Sequence, residues 1–159
     1  MTQTETKNAV EDLLIPVGYL TIEKFNADGK LIDVRKVKNT VVATGKTFIA
    51  GSMIKTTTNT PTAMTHMAIG TGTTAVNAAT DTALGTANGA RVTFSEAASS
   101  TSNQVTYKAT FGSAYSGAIT EAGVFNALTA GTMLCRTVFG VVTKTTSDTI
   151  TITWTITVS

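Results

Sequence analysis

The chain closes on the run DTITITWTITVS, in which Ile150, Ile152, Trp154, Ile156 and Val158 alternate with Thr149, Thr151, Thr153, Thr155 and Thr157. A period of two places the two sets on opposite faces of one β-strand. The sequence therefore predicts a strand over Thr149–Val158 whose Ile150, Ile152, Trp154 and Ile156 fill a core, with a face of uncharged hydroxyls opposite. Val17–Phe25 and Leu31–Lys38 read as a hairpin about Asn26–Lys30, where Gly29 supplies a positive φ. His66–Gly70 reads as a short buried strand. Ala90–Ala97, Gln104–Phe111, Ala118–Ala127 and Thr132–Phe139 read as four more, separated by the turn-rich stretches SSTSN, GSAYSG, LTAG and KTTSD.

One segment has a helical period. Thr44 is placed to cap a helix reaching Met53, with Phe48, Ile49 and Met53 on its apolar side. A long loop, Thr71–Gly89, is rich in Thr, Asn and Gly, and its Thr80–Gly85 reads as a capped helical turn closed by glycine. Short strands at this spacing predict a mainly β fold: an antiparallel β-sandwich with one short α-helix. Residues 1–17 are expected to form a flexible N-terminal arm and residues 18–159 the sandwich domain. Within the arm, Val10, Leu13, Leu14 and Ile15 precede a helix-stopping Pro16. Four apolar side chains on so short a segment are expected to dock on a partner subunit.

Composition narrows the function. Charged residues make up 14% of the 159 residues and the formal net charge is +2, against about 25% charged in an ordinary soluble domain. The charge is too small and too scattered for a nucleic-acid binder. The basic run Arg35-Lys36-Val37-Lys38 reads as a solvated strand face or a subunit contact. Thr, Ser, Asn and Gly carry the remaining polarity, and a hydroxyl costs far less to desolvate than an ion. Such a surface suits a protein packed into an assembly. The single cysteine, Cys135, lies in the apolar run MLCRTVF and reads as a small buried hydrophobe. No apolar run approaches the roughly 20 residues of a membrane helix, and the start of the chain has no signal-peptide pattern.

The chemical motifs are weak. Gly45-Lys46-Thr47 resembles the end of a phosphate-binding loop, but Thr40 stands where the first glycine belongs. Gly70-Thr71-Gly72 lacks the third glycine and the long helix of a dinucleotide fold. His66 has no acidic neighbours in sequence with which to hold a metal. Glu121 is a carboxylate in the apolar AITEAGVF, and Arg91 and Arg136 lie in other apolar strands. A buried charge survives only when paired. The expectation is a structural ion pair between Glu121 and one of these arginines, or a carboxylate accepting from turn amides. A catalytic pair would need a second acid, and Asp81, Glu96 and Asp148 all look like loop or strand-end residues. No catalytic residue, metal or cofactor is expected, which argues against a wall-degrading hydrolase.

The stretches HMAIGTGTTAV, TDTALG, ARVTF, AITEAGVFNALTAGTMLCRTVFGVV and SDTITITWTI together resemble a family of virion structural proteins of tailed bacteriophages. In that family a strand ending in a Gly-x-Gly loop, a TxL turn, an arginine strand, an ITEAGLFN strand, a GTMLxRxxF strand and a DTLTITWTI strand recur. The resemblance spans Val17–Val158 and is most specific over Ala68–Thr74, Ile119–Asn126 and Gly131–Phe139. It implies a non-enzymatic virion protein assembled in the host cytoplasm. The first expectation is a capsid decoration or cement protein, a homo-oligomer and by preference a trimer, tying adjacent major capsid subunits together. The alternative is a tail-fibre, baseplate or adaptor component that binds other tail proteins and meets a host receptor. Neither nucleic acid nor membrane is among the expected partners.

Overall fold

The computed structural model describes residues 16–53 and 61–158. The arm segment carrying Val10, Leu13, Leu14 and Ile15 lies outside the described residues. In chain order the elements are β1 (Pro16–Phe25), β2 (Leu31–Lys38), β3 (Thr40–Val41), α1 (Ala43–Met53), β4 (His66–Gly70), β5 (Val92–Thr93), β6 (Glu96–Thr101), β7 (Gln104–Phe111), β8 (Gly117–Phe125), β9 (Met133–Lys144) and β10 (Thr149–Val158). They form two five-stranded sheets, ordered β2-β1-β10-β7-β6 and β3-β9-β8-β4-β5. Every pairing is antiparallel. The fold is a β-sandwich with one short helix. Pro16 sits opposite Val158, so the first sheet begins two residues inside the segment assigned to the arm. Proline is tolerated there because a first strand residue need not donate to the ladder.

The core lies between the sheets. Ile150, Ile152, Trp154 and Ile156 are buried with Leu20 and Ile22, against Met67, Ile69, Ile119 and Val142 of the second sheet. The threonines of β10 take the opposite, outer face, each only half-buried. A second, smaller core of Val42, Ala68, Phe125 and Met133 is covered by Val76 and Leu84. Ala68, Phe125 and Met133 alternate with core residues along their strands, so this cluster lies on the outer face of the second sheet.

Four local expectations change. Ala90–Ala97 is two strands: Phe94 donates its amide to the Thr65 carbonyl at 3.1 Å and Ser95 donates to that of Lys108 at 2.8 Å. Successive residues thus bond to opposite sheets, while Val92 and Phe94 keep packing on the common core. Thr44 does not cap the helix. Its hydroxyl donates to the Met133 carbonyl at 2.8 Å, and the helix starts two residues earlier, at Ala43, with the Lys46 amide donating to the Val42 carbonyl at 3.0 Å. Gly45 sets how closely α1 approaches β9, since a Cβ there would lie 1.9 Å from the Leu134 carbonyl oxygen. Met53 is 74% exposed rather than packed. Finally, the tight turn falls at Asn77–Asp81, where the Asp81 amide reaches the Asn77 carbonyl at 3.0 Å, and not at Thr80–Gly85.

Candidate functional site

Two regions of the outer surface are built with unusual definition. The first is the long loop of residues 71–90 laid over β8 and β9. Residues Thr120–Phe125 of β8 and Met133–Thr137 of β9 are buried on both faces, because this loop and α1 cover what the other sheet does not. The loop is held from below by a charge. Glu121, with no exposed surface, accepts from the amides of Gly72 at 3.0 Å, Thr86 at 2.7 Å and Gly85 at 2.9 Å. Arg136 adds its Nε at 2.8 Å. The same guanidinium donates to Asp81 Oδ2 at 2.7 Å and to the Thr74 carbonyl at 3.1 Å. One carboxylate and one guanidinium therefore tie down five points along the loop.

The glycines follow from this geometry. A Cβ on Gly70 or Gly72 would stand 2.6 or 2.4 Å from Glu121 Oε1. The Gly70-Thr71-Gly72 motif leaves room for a carboxylate of the chain itself rather than for a pyrophosphate. Burial alone would raise the Glu121 carboxyl. The amides of Thr86 and Gly85 and the Arg136 guanidinium outweigh that and hold it below the ordinary carboxylate range. With its pKa depressed and every oxygen occupied, Glu121 is placed to anchor backbone and not to transfer protons.

Arg91 is not part of this pair. Its Nη1 donates to the carbonyls of Ala127 and Ala130 at 2.8 and 2.6 Å, and its guanidinium stacks 3.6 Å above the Phe125 ring. It braces the tight turn in which Ala130 and Gly131 have φ of 51° and 68°. Its arginine type suited the pair, but it stands just before β5, at the far edge of the sheet from β9. His66 is half-buried beside the Thr65 hydroxyl, 2.7 Å from Nδ1. No group of three or more His, Cys, Asp or Glu among the described residues is placed to hold a metal ion. Cys135 is buried, and burial pushes its thiol up.

A second charged centre had no reading in the sequence. Lys144, at 1% exposure, sends its ammonium to four carbonyls: Gly112 and Tyr115 at 2.8 Å, Thr145 at 3.0 Å and Asp148 at 2.7 Å. Asp148 closes the adjoining turn through the Thr145 amide at 2.8 Å and bridges to Lys24 at 3.2 Å. The only sequence signal is the KTTSD spacing, which marks a turn without showing that its lysine points inward.

The second outer region is the face of the first sheet opposite the core. Thr21 on β1, Thr151, Thr153 and Thr155 on β10, and Thr106 and Thr110 on β7 stand side by side in register. Hydroxyls meet across strands at Thr110–Thr151, 3.3 Å, and Thr106–Thr155, 3.5 Å. Toward the β2 edge, Tyr19 and Val34 are 44% and 54% exposed, with the Lys36 ammonium 5.0 Å above the Tyr19 ring.

The described residues form a β-sandwich with a loop pinned over its second sheet and a threonine-rich outer face on its first. No family model, curated protein or solved structure matches the chain.

Proposed function

We propose that this chain is a non-enzymatic structural protein of a tailed-phage virion, and within the virion a cement protein that ties adjacent capsid subunits together as a homo-oligomer. The observation that carries the reading is the threonine face of the first sheet, continued by exposed Tyr19 and Val34. Hydroxyls and apolar groups make up most of that face, with Glu23, Lys36 and Lys108 set among them, and a hydroxyl is cheap to desolvate against a neighbouring subunit. Contacts of that kind keep their strength across salt conditions that screen surface ion pairs. The resemblance of AITEAGVF, GTMLCRTVF and DTITITWTI to phage virion proteins supports the same class.

A second reading rests on a different observation. The loop of residues 71–90 is polar, outward-facing and pinned by Glu121 and Arg136. A pre-ordered loop loses little entropy on binding, which suits a tail-fibre, baseplate or adaptor component meeting a host receptor. Copy number in the purified particle separates the two. Quantitative mass spectrometry is expected to give close to one copy per capsid subunit. A tail component would be present in at most on the order of a few dozen copies, set by a closed ring or spike. Absence from the particle would end the virion reading.

A further inference from the structure

Between α1 and the end of the first sheet, where β1 begins and β10 finishes, lies an open groove of about 500 Å³. Its walls are apolar: Val17, Val41, Ile49, Ala50 and Val158. Its polar lining is one-sided. Lys38 and Lys46 flank it, and among the described residues no carboxylate side chain lines it and neither lysine has an ion-pair partner. Asn39 also borders it, but its amide oxygen and nitrogen are enclosed beside Gly18 and do not face the groove. The Cys135 thiol beside them is a weak partner.

We infer that this groove receives residues 10–15 of a second copy of the chain. The segment reads Val10-Glu11-Asp12-Leu13-Leu14-Ile15. It offers four apolar side chains to the walls and two carboxylates to a groove bordered by Lys38 and Lys46. It also ends at the groove, since Pro16 is itself a lining residue. The donor is another copy for a steric reason. Ile15 precedes a proline, which confines it to extended backbone, and Pro16 is already registered opposite Val158. An extended continuation from that fixed point runs on past the strand, whereas entry into the chain's own groove takes a reversal within a residue or two. Six extended residues reach roughly 20 Å, enough to enter the same groove on a neighbour. Repeated head to tail, the contact builds a ring where its rotation closes and an open filament where it does not. This inference concerns contacts between copies and stands whether or not the protein is part of a virion.

The test uses full-length variants and sedimentation velocity. Leu13→Asp/Leu14→Asp spoils the segment, and Ala50→Trp fills the groove. The unmodified chain is expected to sediment as an oligomer and each variant as a monomer. An equimolar mixture of the two should form a complex of two chains, because one intact segment and one intact groove remain. Lys38→Glu/Lys46→Glu provides a variant that leaves the groove's shape alone. It should weaken association by at least about tenfold, the effect of losing roughly 1.4 kcal/mol, and Glu11→Lys/Asp12→Lys in the same chain should restore it. The inference is overturned if both single-site variants keep the mass of the unmodified chain, or if the mixture stays monomeric. It is also overturned if the unmodified chain is a monomer whose thermal transition falls with Leu13→Asp/Leu14→Asp, for then the groove holds the chain's own segment.

Discussion

The two sheets solve the same problem differently. In the first, β10 is buried on one face and half-open on the other, and its sequence alternates without interruption from Thr149 to Val158. In the second, β8 and β9 are closed on both faces over Thr120–Phe125 and Met133–Thr137, and their sequences run TEAGVF and MLCRT with no alternation. The period reports how many faces are covered. What covers the extra face here is a loop, and a loop has backbone amides and carbonyls that a sheet would have paired within itself. The second sheet therefore holds a buried carboxylate and guanidinium in β8 and β9, where the central strand of the first sheet, β10, has only isoleucine, valine, tryptophan and threonine.

The largest effects are expected where each sheet keeps its central side chain. Trp154→Ala should cost about 3–5 kcal/mol, the range for emptying a large core site, read as a shift in the chemical denaturation midpoint. Arg136→Met should cost a similar amount, about 3–5 kcal/mol, because it leaves Glu121 and Asp81 facing each other without their shared cation. If Arg136→Met proves neutral, the second sheet is held by its apolar contacts and the contrast between the sheets fails.

A middle-sized effect is expected with acid, from two carboxyls. The Thr145 amide and hydroxyl, with Lys24, bring the Asp148 carboxyl down to about 2, and Glu121 is also held below its usual range. Both bind protons more weakly in the folded chain than in the unfolded one. Their stabilisation is therefore complete above the unfolded carboxylate pKa of about 4 and is lost as pH falls through the lower native values. The thermal midpoint should be flat from neutral pH down to about 5 and fall steeply below about 4. Glu121→Gln should flatten part of that acid limb, and a midpoint unchanged down to pH 2 would contradict the assignment. The smallest effect belongs to the outer face. Thr153→Ala should change stability by no more than about 0.5 kcal/mol, while weakening incorporation into particles if that face is the contact.

How much of this was legible in the sequence follows from the same contrast. The strand Thr149–Val158, its buried set and the Leu31–Lys38 return strand could be read to the residue, because each has one wet face and turn residues at its ends. Glu121 stood out as a charge in an apolar run, and both kinds of partner expected for it, an arginine and turn amides, are present at once. Which arginine was not legible: Arg91 and Arg136 have the same chemistry, and only the strand order puts β9 beside β8. The Asp81 contact and the Gly85 and Thr86 amides come from a loop whose path has no period. Lys144 was missed because an inward lysine at a strand end looks like an outward one until its four carbonyls are in place. The crossing at Phe94–Ser95 was missed because both sheets share one core, so the apolar alternation runs on while the hydrogen-bond partners change.

The central claim is that buried charge, rather than apolar packing, fixes the outer layer of the second sheet. Amide hydrogen exchange measured residue by residue on the native chain and on Glu121→Gln tests it directly. In the native chain the amides of Gly72, Gly85 and Thr86 should exchange slowly, although they lie outside any strand. In Glu121→Gln these three should lose most of their protection, while the amides of Ile152 and Trp154 in β10 keep theirs. Equal protection of the three loop amides in both proteins would contradict the claim, and the loop would then owe its fixed path to Val76, Leu84 and its remaining contacts.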